Sequence, residues 1–171
     1  MQNYNLSALK VLIVEDSSFM VQLYRIMLSA FQIKTIEHVG TLSEFTQKIE
    51  KFQPDLILTD WEMEGFDGEE IMRLVRHNPN PRITFTPTFA ISSFTEAKKI
   101  ESILKSGVDD LIAKPVSAAD LYNRIARFLL SPPKYVRGPD YFGPERNLKR
   151  LEREKVIDAA TMEEENDVVW L

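Results

Sequence analysis

Five times within the first 130 residues, a short apolar run gives way to a stretch whose apolar side chains recur every three or four positions. Runs of this length suit strands buried on both faces, and the period that follows suits a helix packed on one face. Val11–Val14 leads into Phe19, Met20, Leu23, Ile26, Met27 and Ala30. Thr35–Val39 leads into Leu42, Phe45, Ile49 and Phe52, with Thr41 and Glu44 at capping-box spacing. Asp55–Thr59 leads into Ile71, Leu74 and Val75, with Asp67 as the expected cap and "HNPNPR" as the breaker. Thr88–Ile91 precedes a helix over Glu96–Ser106 that Gly107 stops, and Leu111–Ala113 precedes "SAAD" and then Leu121, Ile125, Phe128 and Leu129. Five βα units in series predict an α/β fold, a doubly wound five-stranded parallel sheet with helices on both faces.

At 171 residues the chain suits one such domain, assigned to 1–130, and an appendage over 131–171. "SPPKYVRGPDYFGPE" holds four of the nine prolines and two of the six glycines, which reads as a linker or extended tail. "RNLKRLEREKVIDAATM" beyond it could form a short charged helix, but its apolar stripe is thin. With seven basic and nine acidic residues, 131–171 is expected to be neither a basic arm nor long enough for a separate DNA-binding output domain, and the net charge of −5 argues against a nucleic-acid role. The chain has no Cys, hence no disulfide framework and no Cys-held metal. Neither a secretory leader nor a membrane-length apolar run is present, so the expected location is the cytoplasm, away from membranes.

In a parallel doubly wound sheet the ligand site lies beyond the carboxyl ends of the strands. Here the first strand ends in Glu15 and Asp16, the third in Asp60, the fourth in Ser92 and Ser93, and the fifth in Lys114 before Pro115. Each is ordinary on its own: acids cap helices, Asp follows strands, Ser satisfies itself, and Lys-Pro marks a turn. Together they are not. Clustered carboxylates repel unless a cation joins them, and hard oxygen donors without His or Cys suit Mg²⁺. A carboxylate can also act as a nucleophile in aspartyl-phosphate formation, with a metal and a Lys neutralising phosphoryl oxygens.

"VLIVEDSSFM", "PDLILTDWEMEGFDG", "FAISS" and "GVDDLIAKPV" resemble the receiver domain of bacterial two-component response regulators, of which the single-domain chemotaxis regulator is the simplest member. The likeness covers residues 8–130 and implies a flavodoxin-like (βα)5 fold. It implies that Asp60 accepts a phosphoryl group from a histidine kinase or histidine phosphotransfer protein. Mg²⁺ would be held by Asp16, by Glu15 largely through water, by Asp60 and by the backbone carbonyl of Glu62. Ser92 would be the switch hydroxyl and Lys114 the phosphate-pairing cation, with the Lys114–Pro115 bond cis. This sequence departs from the family in three places. Leu111 stands where Tyr or Phe is usual in the switch pair, and Glu64 stands where Pro is common. Glu62 puts a negative side chain two positions beyond Asp60, where the family tunes dephosphorylation, so it is expected to alter the lifetime of the phosphoryl group.

The implied function is a phosphorylation-dependent signalling switch that works by protein–protein contact, as a monomer or a phosphorylation-dependent dimer. Its output face would be the fourth helix, fifth strand and fifth helix. One alternative is a receiver-like scaffold that is never phosphorylated. Another is an aspartate-nucleophile phosphatase, suggested by the acid-x-acid spacing of Asp60 and Glu62. No GxxxxGK[ST] loop supports a nucleotide switch. Tyr135, Tyr141 and Phe142 in the tail have two readings: they pack back on the receiver, or they form a docking strip. His38 and His77 carry no metal or catalytic signal and read as ordinary surface or loop residues.

Overall fold

The computed structural model describes residues 4–146; the expected charged helix and Trp170 lie outside them. In chain order the elements are β1 (Lys10–Val14), α1 (Ser18–Ala30), β2 (Thr35–Val39), α2 (Leu42–Phe52), β3 (Leu56–Asp60), β4 (Glu62–Met63), β5 (Phe66–Asp67), α3 (Gly68–Arg76) and α4 (Pro81–Thr84). Then follow β6 (Thr88–Ser92), α5 (Ala97–Lys105), β7 (Asp110–Ala113), α6 (Ala118–Leu130), β8 (Tyr135–Arg137) and β9 (Phe142–Pro144). The main sheet has five parallel strands in the order β2-β1-β3-β6-β7. This is the flavodoxin-like order, with its reversal between β1 and β3.

Side chains alternate across a strand, and the two sheet faces divide the core accordingly. Val11, Ile13, Leu56, Leu58, Phe89, Ile91 and Ile112 pack with Val21, Tyr24 and Leu28 of α1 and with Leu121 and Ile125 of α6. Leu12, Val14 and Ile57 pack on the other face with Phe45 and Ile49 of α2 and with Ile71 and Val75 of α3. Towards β7, Ala90 packs with Trp61, Met72 and Ile103. Each such buried aliphatic or aromatic side chain contributes about 1.5–3 kcal/mol, several times a typical surface ion pair. The core therefore sets the register.

Local signals fix the helix starts. Asp67 and Glu70 form a reciprocal capping box. Thr41 accepts from the Glu44 amide, but the Glu44 carboxylate reaches past it to the Gly40 amide at 2.8 Å. The breaker "HNPNPR" contains more than a break: Asn80 caps the helical turn α4, with Pro81 at its first position, where a missing N–H costs nothing. Asp60 and Ser92 are the last residues of their strands, so the backbone ladder holds each of them.

Of the three tail aromatics, Tyr135 and Phe142 pack back on the receiver, while Tyr141 donates its hydroxyl to the Pro144 carbonyl within the tail. β8 and β9 form an antiparallel hairpin whose Tyr135 and Phe142 rings each meet Phe85 edge-on at 5.3 Å. Tyr135 donates its hydroxyl to Asp109, and Arg146 donates to the Val108 carbonyl. Asp109 is also bound to the guanidinium of Arg76, which donates to the carbonyls of Gly107, Thr84 and Thr86. Gly107 permits the close approach: its φ is +91°, and a Cβ there would stand 2.3 Å from the Phe142 carbonyl oxygen. These contacts lie at the amino ends of β6 and β7.

Candidate functional site

Pairing register places the chemistry on one rim. Val14 is level with both Val39 and Thr59, so Glu15 and Asp16 emerge beside the end of β3. Asp60 is level with Ile91, and Ile91 with Ile112, so Ser92 at the end of β6 stands one step beyond Asp60 and Lys114, just past β7, two steps beyond. Strand order reverses between β1 and β3, whose ends carry Glu15, Asp16 and Asp60.

Asp60 is 4% exposed. Its Oδ2 accepts from Lys114 Nζ at 2.6 Å, and its Oδ1 accepts from the Glu62 amide at 3.2 Å. A buried carboxylate held this way keeps a fixed orientation, because releasing either donor would leave charge unpaired. The Lys114–Pro115 peptide bond is cis, as the resemblance implied.

Glu15 is 1% exposed, and burial pushes its carboxyl up to about 7, against the pull of the Ser17 amide and with Asp60 adding to the rise. Its Oε1 accepts from the Ser17 amide at 3.0 Å, while Oε2 is buried without a hydrogen-bond partner. Its backbone carbonyl accepts from His38 Nε2 at 2.9 Å. His38 is thus a half-buried strand residue bracing the end of β1, a role that its isolated position in the sequence does not announce. Asp16 is exposed, and its Oδ2 accepts from the Glu64 amide at 2.8 Å.

The carboxylates are neighbours on the rim, and Asp60 and Asp16 both act on the Glu15 carboxyl. Among the described residues, no three His, Cys, Asp or Glu side chains gather closely enough to hold a metal ion as they stand. The reason is visible: Asp16 is turned to Glu64 and Asp60 to Lys114.

Ser92 is 1% exposed, and its Oγ donates to Glu62 Oε2 at 3.3 Å while accepting from the Phe94 amide at 3.0 Å. The same Glu62 oxygen accepts from Ser93 N at 3.1 Å and Ser93 Oγ at 2.9 Å. Partial burial works against the charged form of Glu62, but the Ser93 and Ser92 donors and the nearby Lys114 together hold its carboxyl below the ordinary range. The sequence singled out Glu62 for its backbone carbonyl and for its place two residues past Asp60. The grip of its side chain on the serines had no sequence signal, since it depends on how the β4–β5 turn aims residue 62.

Leu111, at the usual aromatic switch position, packs beside Trp61, Ala90 and Ile103. Trp61 in turn lies against Gly68, where a Cβ would stand 2.2 Å from the indole ring. His77 caps α3, its Nδ1 contacting the Arg73 carbonyl at 3.1 Å.

A family profile for the response regulator receiver domain matches residues 11–126. Among curated proteins, hybrid signal transduction histidine kinase D of Dictyostelium discoideum is 31% identical over 125 residues, 70% of this chain and 8% of that protein. The response regulator protein VraR of Staphylococcus aureus is 30% identical over 152 residues, 86% of this chain and 66% of that protein. The chain spans less than two thirds of the length of either relative. Among solved structures, the signal receiver domain of a signal transduction histidine kinase from Syntrophus aciditrophicus superposes with a TM-score of 0.65 at 25% identity, over 77% of this chain and 99% of that one.

Proposed function

Because the chain belongs to the response regulator receiver domain family, whose members are phosphorylation-dependent signalling switches, we propose that Asp60 accepts the phosphoryl group that sets the switch. The donor is a histidine kinase or a histidine phosphotransfer protein. The observation that carries this reading is the 2.6 Å contact of Lys114 Nζ with a buried Asp60, one strand step from the Ser92 hydroxyl.

In the transfer, an Asp60 carboxylate oxygen forms a bond to phosphorus as the phosphorus–nitrogen bond of the donor phosphohistidine breaks. The departing imidazole nitrogen keeps the electron pair and takes a proton from solvent. Lys114 balances the charge of a phosphoryl oxygen, and it is already held at the acceptor. Ser92 Oγ then donates to another oxygen of the bound group and registers its presence.

The donor set fits magnesium: Asp16, Glu15 and Asp60 supply oxygens, the Glu62 backbone carbonyl supplies another, and the unpartnered Glu15 Oε2 is an oxygen suited to a cation or its water. Bound there, Mg²⁺ would offset the repulsion between Asp60 and the incoming phosphoryl group.

Output is by protein–protein contact in the cytoplasm, through the face of α5, β7 and α6, with residues 131–171 acting as a tail and not as a DNA-binding output domain. Leu111 transmits the change by repacking against Trp61 and Ile103, in place of a swinging aromatic ring. The reading as a switch and not a turnover phosphatase is supported by the Glu62 carboxylate accepting from Ser92 and Ser93. No helix among the described residues is long and apolar enough to cross a membrane.

The test is incubation with Mg²⁺ and a small acyl phosphate, followed by intact mass. Wild type should gain one phosphoryl group and Asp60→Asn none. Equal labelling of both, or no labelling of the folded wild type by any donor, overturns the reading.

A further inference from the structure

The donors that Ser92 and Ser93 present at the end of β6 already hold an anion, and that anion is part of the chain. Three hydrogens, from Ser93 Oγ at 2.9 Å, Ser93 N at 3.1 Å and Ser92 Oγ at 3.3 Å, point at the single oxygen Oε2 of Glu62. Backbone and hydroxyl donors converging on one carboxylate oxygen make the arrangement that a phosphoryl oxygen would need. Glu62 is two residues from Asp60, and its backbone amide is bound to Asp60 Oδ1, so its side chain works within the space around the acceptor.

We propose that Glu62 is a built-in latch: its carboxylate occupies the Ser92 and Ser93 donors in the unphosphorylated chain and must leave them before they can engage a phosphoryl group on Asp60. This inference rests on Asp60 being the phosphoacceptor and concerns how that site is regulated. Ser92 cannot serve both anions, because its one hydroxyl proton goes to Glu62 and its oxygen already accepts from Phe94 N. Phosphorylation therefore exchanges one anion for another on the same donors. The exchange slows entry of the phosphoryl group and frees the Glu62 side chain over the rim as the switch is thrown. Glu62 acts here as a positioning residue, through the serines.

Simple charge repulsion between Glu62 and an incoming phosphodonor would also slow the reaction, and Ser93 separates the two mechanisms. Ser93→Ala removes one of the three donors and leaves the charge in place. The experiment compares initial rates of phosphorylation by a small acyl phosphate with Mg²⁺ for wild type, Glu62→Gln, Ser93→Ala and the double variant, read by intact mass. If the latch operates, each single variant reacts about five- to tenfold faster, the weight of one ordinary hydrogen bond. The double variant is then no faster than the faster single one, because both changes open the same contact. In the unphosphorylated protein, the Ser93 amide proton should also exchange faster with solvent in Glu62→Gln.

Acceleration by Glu62→Gln with an unchanged Ser93→Ala rate and an unchanged Ser93 amide would reduce the effect to repulsion and overturn the latch. So would fully multiplicative rates in the double variant. A wild type that takes up no label, or an Asp60→Asn chain that labels equally, would remove the phosphoacceptor and the latch together. That outcome is told apart because either no chain takes up label or labelling is indifferent to Asp60.

Discussion

Arg76 Nη2 stands 2.6 Å from Asp109 Oδ2, both side chains shielded from water, and the tail residue Tyr135 donates its hydroxyl to the other oxygen of the same carboxylate. Burial pushes the Asp109 carboxyl up, while Arg76, Tyr135 and the Thr88 amide oppose that rise. An ion pair so enclosed stands only if nearly every remaining valence is met, and here the hairpin after α6 meets one of them. Asp109→Ala leaves a buried guanidinium without its partner and should cost about 3–5 kcal/mol in urea unfolding. Tyr135→Phe should cost about 1–2 kcal/mol in the same assay. If Tyr135→Phe unfolds with wild-type stability, the hairpin does not support the pair.

The hairpin's close seating makes a second prediction. Gly107 is in the left-handed region, and its α-carbon is 2.7 Å from where a Gly143 Cβ would stand. Gly107→Ala would meet both a left-handed backbone, which costs about 1–2 kcal/mol for other residues, and the Phe142 carbonyl. Amide exchange across β8 and β9 should rise in this variant while the β1 and β3 amides stay protected. Unchanged protection of the hairpin would show that the seat tolerates a methyl group.

In the proposed function, Lys114 would supply the charge that meets a phosphoryl oxygen. Lys114→Ala should slow uptake of phosphate from a small acyl phosphate by about 10²–10³-fold, the range for losing one preorganised donor. Circular dichroism would establish that the variant is folded. A loss smaller than threefold would assign the charge balance to other groups.

Glu15 gives a pH signature. A carboxyl raised from 4.5 to about 7 on folding favours its protonated form, so its stabilising contribution is complete below pH 4.5 and is lost as pH rises through about 7. Glu15→Gln, neutral throughout, should match wild type near pH 4.5 and exceed it by about 1–3 kcal/mol at pH 8, discounted from the full shift. The comparison belongs in metal-free buffer, by thermal melting at several pH values. A gap that stays constant with pH would show that Glu15 does not change charge in this window.

Much of the fold is legible in the residue order because the apolar periods of strand and helix differ. The rim residues Asp60, Ser92 and Lys114 follow from strand ends, since parallel topology brings all carboxyl ends together. The contacts that escape such reading are those made by side chains reaching across elements. Arg76 looks like the polar edge of α3, yet it is 3% exposed because α4 and the segment before β7 close over it. Glu62 looks like one more acid on an acidic rim, yet the turn at Gly65 aims it at the serines. His38 looks incidental until pairing of β1 with β2 places it under Glu15.

The antiparallel hairpin docks where β6 and β7 begin, whereas Asp60 sits where β3 ends, so the length of the sheet separates them. A fusion, dye or surface tether joined after Arg146 would therefore leave from the base of the molecule with the acidic cleft facing outward. Immobilised in that orientation, the protein presents Asp60 at the end of the sheet remote from its anchoring point.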